Sequence, residues 1–483
     1  MTANTLFLKH AARHLGQYAG NLRFFQAAFE SGEIPDAANE IVRRHVEHLK
    51  QHLGIPGESE ADAFLLRFGL IVPGRFRGIR PPLAVLTPER GGFSKQRLDQ
   101  AAAQVDRLRT ALRLGRRYFD GLSSDTPTAL GEISEYIQKA ARSDDAWVAL
   151  HASLPDVEAR ALVARAIGCL EIPDEPQELG TDILSCLANY QQESLGDRLA
   201  GLLQRNVFWP SSLYRAPSDG ITAALIQRIN AGEGPQLEHL LLALAWTRSE
   251  PARRAFVEWR NKVPPWARAL PVPPEDYLHS AGWAIDVRGQ RRDLISLSCH
   301  RLRADDSAPG LAVPCRTEIG KACPACKGPL TWLFDFAQLP GHFFSASRAA
   351  APRRILCCLH CAAFCPQTFT RYHPDGTSEW HPATKFEETR HPGNGPPSTR
   401  ALVASPQPPF AAAEPFGIED ATALGGIPMW LQDANYPRCP DCQNVMTFLA
   451  QFDNSSMLPP EEGIYYAFFC EDCRVAAVNY QQT

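Results

Sequence analysis

Four Cys-x-x-Cys pairs in the distal half constrain this chain more than any other feature. Cys323 and Cys326 form the first pair, Cys358 and Cys361 the second, Cys439 and Cys442 the third, and Cys470 and Cys473 the fourth. Within each set of two pairs, the intervening segment is 31 residues in the first and 27 in the second. Strand-like runs lie between them, at 330–336 in the first set and at 445–452 and 464–469 in the second. Two knuckles joined by a hairpin can place four thiolates at the corners of a tetrahedron, the arrangement a structural zinc ion prefers.

The two sets align with each other. Cys323/Cys439, Pro324/Pro440, Cys326/Cys442, Thr331/Thr447, Leu333/Leu449 and Phe336/Phe452 coincide without a gap. After a four-residue length change, Cys358 and Cys361 overlay Cys470 and Cys473. This predicts two copies of one β unit, each clamped by its own ion through four cysteines. A small β unit with long loops has little core of its own, so metal binding would contribute folding free energy directly. On this alignment Cys357 points to the opposite side of its strand and packs in the core, while Cys299, Cys315 and Cys365 stay unassigned.

Cysteine usage sets the compartment. Of 14 cysteines, 12 follow residue 298 and eight fall in these pairs, which in a 483-residue chain points to metal rather than a disulfide framework. No basic, apolar leader opens the chain, and its most apolar stretch, 240–246, is far short of the roughly 20 residues of a membrane span. A cytoplasmic location is expected. A net charge of -4 argues against a nucleic-acid surface covering the chain, and the short clusters Arg75/Arg77 and Arg291/Arg292 read as solvated loops.

The proximal half reads as helical. Residues 5–29, 41–53 and 95–114 carry apolar residues at helical spacing, and a Pro- and Gly-rich break at 71–92 separates the first two from the third. Further helices are expected at 157–170, 181–190, 195–203, 221–229, 237–246 and 250–259. Their spacing suggests a solenoid of helical hairpins, with Cys169 and Cys186 on apolar faces. A proline cluster from Pro264 to Pro274 marks a hinge, and 373–415, with nine prolines, reads largely as loop.

The expected architecture is α+β: a helical subdomain at 1–92, a solenoid-like helical domain at 93–270, and β units at 271–395 and 396–483. No catalytic constellation stands out. His45 and Glu47 lie in a helical pattern without the cysteine partners a zinc deaminase needs, and His373, His381 and His391, each before a proline, read as loop histidines. A non-enzymatic role is expected.

Three short segments also carry a resemblance. Gly425-Gly426-x-Pro428-x-Trp430-x-Gln432, Met446-x-Phe448-Leu449-x-Gln451 and Gly463-x-Tyr465 resemble the bacterial YwqG-like family and the C-terminal part of the programmed-cell-death-2 proteins. The resemblance covers the last 60 or so residues. It implies that the Gly-Gly-x-Pro-x-Trp stretch is a turn placing an aromatic ring on a sheet. For function it implies an immunity protein that binds and neutralises a toxin-like partner, or a chaperone for a ribosomal or other assembly subunit. An enzyme or nucleic-acid binder using the helical half is the third expectation.

Overall fold

In a computed structural model the described residues are 151–170, 178–190, 195–232, 234–304, 312–337, 351–385, 401–413, 421–454 and 462–482. The helices expected at 5–29, 41–53 and 95–114, the break at 71–92, and His45, Glu47 and His391 lie outside them. The chain divides into two compact units, Met1–Leu184 and Ser185–Thr483. The boundary expected at 270 falls inside the second unit, because the helices before it pack on the strands after it.

The helices follow the apolar spacing closely. They are α1 (Asp156–Leu170), α2 (Glu178–Tyr190), α3 (Leu199–Gln204), α4 (Asp219–Asn230), α5 (Leu237–Thr247) and α6 (Glu250–Asn261). In α1, Ala159, Leu162, Val163, Ala166 and Leu170 are buried, the period of one helical face. Cys186 on α2 is buried, as its position on the apolar face requires.

Helix α5 is apolar almost all round, and the fold uses that. It is covered by α4, by α6 and by the tight turns at Ser211–Tyr214 and Pro274–Ala281. It stops at Arg248, which takes a left-handed conformation (φ 50°), and Ser249 caps the start of α6 by accepting from the Ala252 N–H at 3.3 Å. Trp283, fully buried, donates from its indole to the Ala245 carbonyl at 2.9 Å and meets Phe256 edge-on. A hairpin of β1 (Trp283–Ile285) and β2 (Arg291–Asp293) thereby joins helices to sheet.

Arg291 and Arg292 therefore lie in a strand and not in a solvated loop. Arg292 donates to the Val445 carbonyl and, at 3.1 Å, to Thr447 Oγ1, so both its carbonyl and hydroxyl partners belong to the second cysteine unit.

The remaining strands form one antiparallel sheet. They are β3 (His300–Ala304), β4 (Ala312–Ala322), β5 (Pro329–Asp335), β6 (Arg354–Cys357), β7 (Thr368–Tyr372), β8 (Ser378–Trp380), β9 (Ala401–Pro406), β10 (Ala423–Leu424), β11 (Thr447–Asp453), β12 (Ile464–Cys470) and β13 (Val475–Gln481). Their order is β6-β5-β4-β9-β3-β10-β11-β12-β13-β7-β8. The two cysteine units sit on either side of the central β3–β9 pair, so the division expected at 395 runs through a shared sheet.

The sheet curls on itself. At one edge β6 lies against β7 and β8, which belong to the other edge. The concave side is filled by Leu333, Phe334 and Phe336 from the first unit and Leu449, Phe452 and Phe469 from the second, all in one cluster. Cys357 and Cys315 are buried in that same cluster, on the face away from the first cysteine set.

The pairing repeats residue by residue. Thr331↔Cys357, Trp332↔Leu356, Phe334↔Ile355 and Asp335↔Arg354 in β5–β6 match Thr447↔Phe469, Phe448↔Phe468, Ala450↔Ala467 and Gln451↔Tyr466 in β11–β12. Both ladders carry a bulge at the same place, Leu333 and Leu449. Ahead of the first knuckle, Ala322↔Pro329 matches the bridge Arg438↔Val445.

The copies differ in the segment ahead of the first knuckle. In the first, β4 runs unbroken for 11 residues into the knuckle. In the second, the chain leaves the sheet after β10 at Gly425 and returns near Arg438. Gly425 and Gly426 both have φ near +70°, and a Cβ on Gly425 would lie 2.2 Å from the Ser298 carbonyl, one on Gly426 2.5 Å from Cys299 Sγ. Only glycine fits that contact. The excursion lays Trp430 on the sheet, stacked on Tyr466 with ring centres 4.7 Å apart, while Tyr466 Oη donates to the Met429 carbonyl at 2.6 Å. The Gly-Gly-x-Pro-x-Trp stretch is thus a turn carrying an aromatic onto the sheet.

Candidate metal centres

Each knuckle is built by the chain within six residues. After Cys326 the backbone turns left-handed at Lys327 (φ 63°), and after Cys442 it does so at Gln443 (φ 62°). The Lys327 N–H donates to the Cys323 carbonyl at 3.1 Å, and the Cys323 N–H to the Gly328 carbonyl at 2.7 Å. The same two bonds occur as Gln443 to Cys439 at 2.8 Å and Cys439 to Asn444 at 2.8 Å. This turn points both sulfurs of a pair to one side and aims backbone N–H groups at them. The Gly328 N–H lies 3.3 Å from Cys326 Sγ.

The returning pairs are built differently. Cys470 ends β12 and Cys473 precedes Arg474, again left-handed (φ 52°), so the chain turns straight into β13. Cys358 instead starts the short helix α7 (Leu359–Phe364), which carries Cys361 in its first turn. The Ala362 N–H donates to the Cys358 carbonyl at 2.9 Å. That helix leads the chain away to β7, which pairs with β13 of the second copy.

The sulfurs of each set converge. All four of Cys323, Cys326, Cys358 and Cys361 have Sγ atoms within 4.8 Å of one another, and so do those of Cys439, Cys442, Cys470 and Cys473. Sulfur separations are 3.7 Å for Cys323–Cys361, 3.5 Å for Cys326–Cys358 and 3.7 Å for Cys442–Cys470. A tetrahedron with metal–sulfur bonds of about 2.3 Å has edges of about 3.8 Å. The donor sets therefore fit two metal ions, one in each copy.

Electrostatics without metal are consistent with such sites. Hydrogen bonds from the Cys358 and Cys361 thiols hold Cys323 well below the ordinary thiol range. Cys358 is pushed up to about 12 and Cys361 higher still, chiefly by hydrogen bonding to Cys323. In the second set, burial works against the Cys442 thiolate, but the Asn444 N–H and three neighbouring thiols outweigh it and bring it down. Burial raises Cys470, and raises Cys473 to about 11. Each set thus carries a favoured thiolate that a cation can meet first, and binding releases the protons of the others.

The two sites differ in exposure. The four cysteines of the first are all buried, among Leu330, Leu356, Cys365, Trp332 and Trp380. In the second, Cys439 and Cys470 are buried, Cys473 is half-buried and Cys442 is exposed. The second is backed by polar groups instead. Asp441, inside its first knuckle, accepts from Arg371 of β7 at 2.8 Å and meets His381 Nε2 at 2.9 Å. Arg371 also donates to the Cys473 carbonyl at 2.9 Å, so one guanidinium holds both knuckles.

His381, expected in a loop, is buried and fixed on both ring nitrogens: the Ala383 N–H donates to Nδ1 at 3.1 Å, which leaves Nε2–H for Asp441. His373 sits at the surface, 3.7 Å from Glu379.

Of the unassigned cysteines, Cys299 accepts from Gln407 at 3.1 Å and burial pushes it up to about 12, an inert thiol under the Gly426 turn. Cys315 packs in the core and Cys365 beside the first site. Among the described residues no helix is long and apolar enough to cross a membrane.

Among curated proteins, the chain is similar to the "Uncharacterized protein YpfL" of Salmonella typhimurium, with 32% identity over 344 residues, covering 69% of this chain and 79% of that one. No family model matches the chain, and no solved structure matches it.

Proposed function

The chain belongs to the family of the Salmonella typhimurium protein YpfL, and from that premise we propose that it is a non-enzymatic binding protein whose β module is held together by two structural zinc ions. The convergence of four cysteine sulfurs at each site, at separations suited to a tetrahedron, carries the reading. Among metals, an all-sulfur tetrahedral shell selects zinc or iron, and zinc is the redox-inert choice for a scaffold. Four thiolates close the shell, so neither ion keeps a position for a reacting water. Metal here builds surface rather than chemistry.

The surface so built serves a protein partner. The YwqG-like resemblance of the C-terminal stretch points to an immunity protein that binds and neutralises a toxin encoded beside it. The test is to express each reading frame that neighbours this gene with and without this chain. Rescue of growth, with a complex that survives size-exclusion chromatography, supports the reading. Unrelieved toxicity, or a stable complex with a ribosomal or assembly subunit instead, refutes it.

A further inference from the structure

Arg215, Arg248 and Arg291 draw together where helix ends meet the sheet. Arg215 follows the turn at Ser211–Tyr214, and its Nη2 donates to the carbonyl of Ala188 near the end of α2. Its guanidinium carbon lies 4.9 Å from the centre of the Phe410 ring. Arg248, just past α5, brings its own guanidinium carbon to 5.6 Å from the same ring centre. Its Nη1 donates to the Ala281 carbonyl and its Nη2 to Asp293 Oδ1 at 2.7 Å. Arg291 donates from Nε and Nη2 to that same oxygen, and from Nη1 to the Arg248 carbonyl.

Among the described residues these three guanidiniums have one carboxylate, Asp293, and all its bonds to them fall on one oxygen. Arg215 reaches no carboxylate among the described residues. Its Nε is buried and has no hydrogen-bond partner, and neither has the buried Oδ1 of Asn189, next in sequence to Ala188. The Arg248 side chain is only 10% exposed. Burial lowers Arg215, and burial together with the nearby Arg291 and Arg215 lowers Arg248 to about 10, still far above neutrality. Guanidiniums therefore stay charged here, and a buried charge with an orphaned N–H calls for a counter-ion.

We infer that Arg215 and Arg248 form a site for a phosphate dianion, free or as the phosphoryl group of a small ligand. The shortfall is two negative charges, which one dianion supplies. Arg215 keeps Nε and Nη1 uncommitted, on two sides of the guanidinium, and the buried Nε–H is a donor that an oxyanion oxygen can meet. The Phe410 ring packs against both guanidiniums, which holds them close to one another.

Titration calorimetry of the full-length protein with inorganic phosphate, at ionic strength held constant with chloride, tests this. Saturable binding is expected, with affinity falling about tenfold or more in Arg215→Gln and in Arg248→Gln. Arg215→Gln also removes a contact at the end of α2, so Arg215→Lys, which keeps the charge and loses the Nε–H, is measured beside it and should bind with intermediate affinity. Phenyl phosphate distinguishes the sources: tighter binding than inorganic phosphate assigns a phosphoryl ester, equal or weaker binding the free ion. The inference is overturned if phosphate acts no differently from chloride, if both glutamine variants bind it as the wild type does, or if acetate binds as well.

Discussion

Leu333 and Leu449 occupy the same β-bulge in two copies of one ladder, and their side chains are buried in one common core. Duplicated units usually keep separate cores; here equivalent residues of the two copies fill the same interior. Each four-cysteine site therefore stands at the end of a ladder whose far side supports the other copy.

Because the two leucines are equivalent in environment, Leu333→Ala and Leu449→Ala should destabilise the second compact unit by similar amounts, about 2–5 kcal/mol each. Urea unfolding should show one shared transition for either variant. Two separate transitions, with each variant shifting only its own, would show that the copies fold independently.

Loss of a site should be far more damaging than truncation of either core leucine. The double substitution Cys439→Ser/Cys442→Ser removes two thiolates from the second ion, and free energy on the order of 10 kcal/mol is tied to such a site. Hydrogen exchange is expected to show the last 60 or so residues unprotected. Since β13 pairs with β7, protection at Thr368–Tyr372 should fall with them. Protection unchanged along β11–β13 would mean that packing alone holds the strands.

The ions should leave in order. The second site has an exposed sulfur in Cys442, while all four of the first are buried. With a chromogenic chelator, zinc should be released in two phases of one equivalent each, and the Cys439→Ser/Cys442→Ser variant should lack the faster one. Equal rates would contradict the difference in exposure.

The copies were legible in the sequence because what makes them is local. A knuckle is set by residues three apart and by the left-handed residue that follows. The matching Thr331/Thr447, Leu333/Leu449 and Phe336/Phe452 are the bulge and its neighbours. The helices α1, α2 and α4–α6 were legible from apolar periodicity for the same reason. The shared sheet was not, because its decisive pairings join segments about 100 residues apart, Leu302 with Ala404 and Thr370 with Ala476. Nothing within either segment announces its partner. His381 was missed likewise: its role depends on Asp441, 60 residues on.

Stability should also depend on pH through His279. It is buried against Tyr436, and burial, aided by Arg438, lowers it to about 4 from 6.5. The unfolded chain takes up a proton first as pH falls, so stability present above about pH 6.5 is lost progressively as pH falls toward 4, by about 3 kcal/mol. Denaturation midpoints between pH 7 and 4 should show this slope, and His279→Gln should flatten it. An unchanged slope in the variant would place the titration elsewhere.

Metal content with sulfur coordination is the most direct measurement. Elemental analysis and zinc-edge X-ray absorption on protein purified without added metal should give two zinc ions per chain, each with four sulfur neighbours at about 2.3 Å. A folded protein with no bound metal, or zinc with nitrogen or oxygen in its first shell, would contradict the reading of these eight cysteines as two closed structural centres.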